Sequence, residues 1–135
     1  MWAVGSNVYG QIGAGTTTNR ETPVQVSGLS DVVAIAAGGE HSMAITSTGS
    51  LYMWGRNSVY QLGDGTTTYR SSPVQSSLTN VVAIAAGDSH SAAVQSDGDA
   101  FTWGYNSNGQ LGAGNTTNGT SPSQVMTGVS TVAAG

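Results

Sequence analysis

The sequence predicts an all-β fold, a partial β-propeller built from four-stranded blades. Three observations support this prediction. The phrase VVAIAAGGEHS at Val32–Ser42 returns 49 residues later, nearly unchanged, as VVAIAAGDSHS at Val81–Ser91. Short strand-like segments are separated by turns rich in Gly and Pro, and no segment longer than ten residues has a helical period. A repeat of this length that holds several short strands is typical of radial β folds.

The repeat divides the chain into three units: 1–52, which begins in mid-repeat, 53–101, and 102–135, which ends before its His-Ser strand. Slightly under three blades are therefore expected. A domain boundary seldom falls inside a repeated unit, so we expect an excerpt of a longer repeat protein; a complete chain would need two or three copies to close a ring. The recurring positions that we interpret as structural are Trp54, Trp103, His41, His90, Gly13, Gly15, Gly63, Gly65, Gly112, Gly114, Pro23, Pro73 and Pro122.

The strands of one unit follow from its side-chain pattern. His41, Met43 and Ile45 alternate with polar or small residues, which predicts a strand. Residues 47–50 predict a turn, and LYMWG after it predicts a second strand whose aromatic rings pack between blades. The run VVAIAAG does not alternate and predicts a strand buried on both faces. The stretch GAGTTTNRETPVQ at 13–25 predicts an exposed loop.

The composition disfavours several classes of partner. Only 7% of the residues are charged, the net charge is −4, and there is no Lys. Phosphate contacts supply much of the affinity of a nucleic-acid binder, and three scattered arginines cannot build the basic patch that those contacts need. No apolar run approaches the length of a spanning helix. We therefore expect no nucleic-acid partner and no membrane insertion, and the absence of Cys excludes thiolate zinc sites.

The two histidines raise the question of catalysis. His41 and His90 each stand beside a Ser and near an acid, as in a Ser-His-acid triad. Neighbours on a strand point to opposite faces, so His41 cannot face Ser42, and recurrence in register indicates a structural hydrogen bond. The Asp residues of 63–66 and 97–99 fit turns better than a calcium loop. We predict no catalytic residue, no metal site and no cofactor.

The residues also point to a known family. The segment MWGRNSVYQLGDGTTTYRSSPVQ, followed by VVAIAAGDSHSAAV, resembles the repeat of the regulator of chromosome condensation family. The resemblance covers nearly the whole chain, as roughly 2.75 repeats. It implies a seven-bladed propeller of which this chain would form part. One departure is Tyr60, which stands where Gly10 and Gly109 stand; if that site needs a positive φ, a Tyr there is strained.

The exposed loops supply the candidate partner contacts. Arg and Tyr are enriched at the hot spots of protein interfaces, and loops of Thr, Asn, Tyr and Gly resemble antibody paratopes in composition. Two of these positions, Asn115 and Asn118, also begin glycosylation sequons. The candidate contact residues are Thr16, Thr17, Asn19, Arg20, Thr66, Thr67, Tyr69, Arg70, Asn115, Thr116 and Asn118.

Together the residues favour a non-catalytic propeller module for protein–protein interaction or structural assembly. Its partner would be another protein or further copies of itself. The neutral, Lys-free surface favours an extracellular or virion location over a nuclear one. The resemblance leaves two alternatives open: guanine-nucleotide exchange on a small GTPase, and inhibition of an enzyme by a secreted propeller. An enzymatic role is disfavoured because none of the seven acids recurs in register.

Overall fold

The computed structural model describes residues 1–135 and consists of ten short β-strands joined by turns and loops. It contains no helix that is long and apolar enough to cross a membrane. The strands are β1 Trp2–Gly5, β2 Arg20–Gln25, β3 Val32–Ala37, β4 His41–Thr46, β5 Leu51–Gly55, β6 Arg70–Gln75, β7 Val81–Ala86, β8 His90–Gln95, β9 Ala100–Gly104 and β10 Gly119–Met126.

The strands form three antiparallel sheets. β1 and β2 make a two-stranded sheet, and the two four-stranded sheets have the orders β3-β4-β5-β6 and β7-β8-β9-β10. Within each sheet every strand pairs with the next strand of the chain, through a short turn or through one of the long loops at 6–19, 56–69 and 105–118. The predicted unit boundaries, after residues 52 and 101, fall inside β5 and β9, so units and sheets are out of phase. The division into units stays a prediction.

The two four-stranded sheets approach each other at their first strands. β7 packs against both β3 and β4, whereas the last strands, β6 and β10, make no comparable contact. A Cβ added at Gly38 would lie 2.4 Å from the carbonyl oxygen of Gly87, so the chains meet there without room for a side chain. Sheets that converge at one edge and diverge at the other are wedges around an axis, which is the arrangement of propeller blades. The predicted partial β-propeller is confirmed.

The core lies between the sheets. An apolar cluster that includes Met43, Leu51 and Trp103 joins the two four-stranded sheets. A smaller cluster around Trp54 joins β1 and β2 to the sheet that follows them. Both indoles are completely buried. The predicted packing of aromatic rings between blades is confirmed for these two tryptophans.

Two details differ from the sequence predictions. The strand β3 is not buried on both faces, since Val33 and Ile35 are 65% and 64% exposed. Ile35 lines a cleft toward the two-stranded sheet, which has no strand beside β3, and Val33 lies at an irregularity in the pairing of β3 with β4. The loop predicted at 13–25 ends at residue 19, because residues 20–25 form β2. Its Pro23 is tolerated on an edge strand, where one row of backbone N–H groups has no partner.

The strand ends define two faces of the molecule. We call the end that carries the long loops the loop face; it is formed by residues 6–19, 38–40, 56–69, 87–89 and 105–118. The opposite end, the turn face, is formed by residues 26–31, 47–50, 76–80, 96–99 and 127–130. Backbone hydrogen bonds tie neighbouring turns together across it, as from Ser47 N–H to the Asp31 carbonyl (2.8 Å).

Candidate interaction surface

A buried asparagine organises each long loop. The Asn57 amide nitrogen donates to the carbonyl oxygen of Thr66 (2.8 Å), and its amide oxygen accepts from the Leu62 N–H (3.0 Å). Asn7 and Asn106 are equally buried and make equivalent bonds. A buried amide left without partners would be unfavourable, so these side chains fix the path of the loop. The loop face is therefore a preformed surface.

Tryptophans anchor the first and second long loops to the blade that follows each of them. Trp54 Nε1 donates to the carbonyl oxygen of Gln11 (2.8 Å), and Trp103 Nε1 donates to that of Gln61 (3.0 Å). Both donors come from the strand that lies third in its sheet. The bond satisfies the indole N–H, which a buried tryptophan needs. The same residue types thus clamp two successive junctions.

Backbone conformation in the loop turns follows the repeat. The recurring glycines all have positive φ: Gly13, Gly15, Gly63, Gly65, Gly112 and Gly114. Tyr60 also adopts a positive φ, of 64°, where its counterparts Gly10 and Gly109 have 81° and 76°. The turn is therefore conserved between repeats, and Tyr60 carries the strain that the sequence predicted for it.

His41 links one blade to the next. Its Nε2 lies 2.9 Å from Ser91 Oγ, and the Ser91 hydroxyl donates to the Gln61 carbonyl at 2.7 Å. Because that hydroxyl proton is engaged, the histidine donates from Nε2, and Nδ1, which is buried without a partner, is unprotonated. Burial is the main cause that lowers the pKa of His41 to about 4; nearby His90 lowers it further and Asp88 opposes the shift.

This geometry differs from a catalytic triad. The partner of His41 is Ser91 of the next sheet and not the adjacent Ser42. The Ser91 side chain is completely buried, and its proton is donated to a carbonyl. No carboxylate bonds His41 Nδ1, and no three His, Asp or Glu side chains are grouped so that they could hold a metal ion. The arrangement acts as a hydrogen-bonded link between blades.

The second long loop carries an ion pair that the first lacks. The Asp64 carboxylate accepts from Arg70 Nη2 (2.8 Å) and from the Thr66 hydroxyl (2.7 Å). Burial favours the neutral carboxyl, but the hydrogen bonds from Thr66 and Arg70 outweigh it and lower the pKa of Asp64. In the first loop Ala14 replaces Asp64, and Arg20 forms no salt bridge. Arg70 is thereby held in place more firmly than Arg20.

Four side chains gather on the loop face where the two-stranded sheet meets the next one. The rings of Tyr9 and Tyr69 meet edge to face, with centroids 5.2 Å apart. The Arg56 guanidinium lies 5.2 Å from the centroid of the Tyr9 ring and forms a salt bridge with Glu40. We call these four residues the tyrosine–arginine cluster. Tyr69, which is 46% exposed, opens it to solvent.

The predicted contact residues lie on the loop face or where it joins β2, β6 and β10, spread over three separate loops. Asn19 and Asn118 also brace their loops, since their side-chain oxygens accept the backbone N–H of the buried asparagines (2.8 and 2.9 Å). The exposed positions are Thr17, Asn19, Thr67, Tyr69, Asn115 and Thr116; the half-buried ones are Thr16, Arg20, Thr66, Arg70 and Asn118. Their role in binding stays a prediction.

The sequence prediction included Tyr69 but missed the other three members of the cluster. A signal for them existed in the comparison of repeats. The residues in register with Tyr9, Glu40 and Arg56 one unit later are Val59, Ser89 and Tyr105. Positions that vary between units while the scaffold is kept are those free to differ for binding.

Antiparallel sheets that converge on one edge, joined at two successive junctions by an equivalent tryptophan, define a repeat β-propeller. A family model described as the regulator of chromosome condensation (RCC1) repeat matches residues 1–45, 48–94 and 97–135. A second model with the same description matches residues 32–61 and 81–110. The chain belongs to the RCC1 repeat family, as its sequence resemblance predicted.

Known proteins match this chain over part of their own length. Human Protein RCC2 is 42% identical over 65 residues, which are 47% of this chain and 12% of that protein. The crystal structure of human WBSCR16 superposes with a TM-score of 0.78 at 27% identity, over 93% of this chain and 34% of that one. Prp20p of Saccharomyces cerevisiae gives a TM-score of 0.75 at 23% identity, over 94% and 34%. The chain thus spans about a third of the solved propellers.

Proposed function

We propose that this chain is a non-catalytic propeller module that binds another protein through its loop face. The tyrosine–arginine cluster is the observation that supports the proposal most directly. Tyr and Arg are the side chains most enriched at interface hot spots, because they combine a large apolar area with directional polar groups. Tyr69 offers such an area at the surface; its ring packs edge to face on Tyr9, and Arg56 lies over the Tyr9 ring.

The preformed loops support the same proposal. Because a buried asparagine fixes each loop, a partner that docks there orders little additional chain. The tryptophans of the two junctions are hydrogen-bonded to the loop backbone, so they serve the scaffold. The exposed loop positions that differ between repeat units are left free to contact a partner. In this scheme the repeated residues build the scaffold and the non-repeated ones select the partner.

Affinity capture tests the proposal. The tagged chain would be incubated with an extract of the cells that express it, beside Tyr69→Ala and Arg56→Ala, and a captured protein would be purified and titrated. We expect Tyr69→Ala to weaken its binding at least about tenfold. The matched control is Thr127→Ala, an exposed residue of the turn face. A partner whose affinity is the same for Tyr69→Ala and for the wild type would refute the proposed surface.

Two further points stay proposals with less support. The extracellular or virion location rests on the sparse charge alone, and the named relatives do not point to it. Self-association would give a particle whose mass is a multiple of the 13.5 kDa chain. Sedimentation of the purified chain measures that mass directly.

The alternative functions are testable in the same way. Prp20p binds Gsp1p and histones, but its likeness to this chain, at 23% identity, extends to the fold alone. A nucleotide-release assay with a Ran-type GTPase addresses exchange activity; acceleration by the chain would favour that alternative. Enzyme inhibition by a secreted propeller has no supporting contact in the structure and stays a hypothesis.

A further inference from the structure

The first strand of each four-stranded sheet is interrupted near the turn face. In β3 an extra residue, Val33, interrupts the pairing with β4. In β7 the equivalent residue, Val82, interrupts the pairing with β8. A β-bulge of this kind redirects a side chain and is a recurring device beside binding sites. Val33 and Val82 are 65% and 57% exposed, although the residues around them form the core. The repeat therefore presents a valine to solvent at the same place in two blades.

The two valines border a groove on the turn face between the two four-stranded sheets. Its volume is about 390 Å³. Ile45 and Val81, both 2% exposed, form its apolar base, and the turn at 46–49 forms one wall. A groove of this size accommodates an apolar side chain together with part of its backbone.

The exposure of Val33 is a property of the junction itself. Both sheets that flank the groove have all four strands, so the neighbouring blade is present on that side. Trp2 differs, since it is 66% exposed on the two-stranded sheet, where strands of a blade are absent. An apolar surface that remains open between two complete sheets marks an interaction site more directly than one beside missing strands.

The charges of the chain are unevenly divided between the two faces. The side chains of all three arginines lie at the loop-face ends of the strands, whereas the turn face carries Asp31, Asp97 and Asp99 and neither Arg nor Lys. The backbone carbonyl of Asp31 accepts the Ser47 N–H, and Asp97 follows Ser96 in the chain; both serines line the groove, so both Asp residues are neighbours of its lining. The charged residues on the face that carries the apolar groove are therefore acidic.

We propose that this groove binds an extended segment of another protein in which an apolar side chain is flanked by Lys or Arg. The apolar side chain covers Val33 and Val82, and the flanking cations face Asp31 and Asp97. Complementary charge of this kind sets specificity and speeds association. A second copy of this chain fits poorly, because it has no Lys and two of its three arginines already pair with Glu40 and Asp64. The site lies on the face opposite the tyrosine–arginine cluster and stands independently of the function proposed for that cluster.

Peptide selection tests the proposal without knowledge of the natural partner. A phage library of random twelve-residue peptides would be selected on the full chain, and the recovered peptides titrated against it and its variants. The double variant Val33→Thr/Val82→Thr keeps side-chain shape and strand propensity while it removes apolar surface. Val8→Thr is the matched control, since Val8 is 56% exposed on the loop face. The pair Asp31→Asn/Asp97→Asn probes the charge.

We expect the recovered peptides to carry an apolar residue beside Lys or Arg. Their affinity should fall about tenfold in the double valine variant, stay unchanged in Val8→Thr, and lose much of its salt dependence in the double Asp variant. Peptides that bind the double valine variant as tightly as the wild type overturn the proposal. So does a selected set without the basic–apolar pattern, or one whose binding depends on Val8.

Discussion

The two junctions of this molecule are built from the same residues but differ in what surrounds them. Between the two four-stranded sheets, Ile84 packs against the apolar cluster that contains Trp103. At the other junction Trp54 is just as buried, but Ile35, the counterpart of Ile84, is 64% exposed. The cause is the two-stranded sheet: it covers the outer part of the neighbouring sheet and leaves β3 uncovered.

The comparison shows that two segments of identical sequence can be buried to different extents. VVAIAAG is a strand with one open face in the first copy and a better covered strand in the second. In repeat proteins each unit gains stability from contacts with its neighbours, so burial depends on what stands beside a unit. We therefore expect the stability of this chain to be concentrated at the junction between the four-stranded sheets.

The largest expected effect comes from removing the indole at that junction. Trp103→Ala should lower the free energy of unfolding by about 3–5 kcal/mol, because it leaves a cavity and removes a hydrogen bond from the blade interface. Trp2, which is in register with Phe101, is 66% exposed on the two-stranded sheet, and Trp2→Ala should change stability by no more than about 0.5 kcal/mol. Urea unfolding followed by circular dichroism measures both. Equal losses would contradict the concentration of stability at the complete junction.

The His41 link should make the same junction sensitive to acid. Burial lowers the pKa of His41 to about 4, below its ordinary value of 6.5, so the unfolded chain takes up a proton that the folded chain does not. Stability is then complete above pH 6.5, falls as the pH drops from 6.5 to 4, and loses up to about 3 kcal/mol at this site. Unfolding curves at several pH values for the wild type and His41→Gln separate this effect from that of the carboxylates. Parallel pH profiles of the two proteins would show that His41 does not contribute.

The fold could be predicted because the same pattern of strands and turns recurs along the chain about every 49 residues. The spacing of Trp54 and Trp103 and the alternation after His41 are local properties, and each repeats 49 residues later or earlier. Repetition identifies a propeller even where a single copy is ambiguous. The predicted strands at 41–46 and 51–55 appear with almost unchanged bounds.

The His41 link, the tyrosine–arginine cluster and the groove were harder to predict, because each depends on how neighbouring repeat units pack together. Ser91, the partner of His41, is fifty residues away, and no local pattern connects the two. The bulge that exposes Val33 leaves no mark in an unbroken apolar run. Tyr69 could be chosen from composition, but its contact with Tyr9 depends on how the two long loops are placed.

A smaller effect distinguishes Gly63, which lies beneath an indole, from Gly112, its counterpart in the third long loop, which does not. A Cβ at Gly63 would lie 2.7 Å from Trp103 Cδ1, whereas nothing lies within 4 Å of one at Gly112; both residues have positive φ. Gly112→Ala should lose about 1 kcal/mol from backbone strain alone, and Gly63→Ala about 2–3 kcal/mol, because the indole must also shift. Thermal unfolding of the two variants compares them directly. A Gly112→Ala variant as unstable as Gly63→Ala would mean that strain, and not contact with the indole, accounts for the loss.

The smallest expected effect is a gain at Tyr60. Its φ of 64° is a left-handed conformation that side chains other than glycine adopt with a penalty of about 1–2 kcal/mol. Glycine removes that strain but makes the unfolded chain more flexible, so Tyr60→Gly should be more stable by only about 0.5–1 kcal/mol. Gly109→Tyr is the reciprocal variant, since a Cβ there meets nothing within 4 Å. Urea midpoints should move in opposite directions for the two variants. A loss of stability in Tyr60→Gly would show that the ring contributes more by packing than its backbone loses by strain.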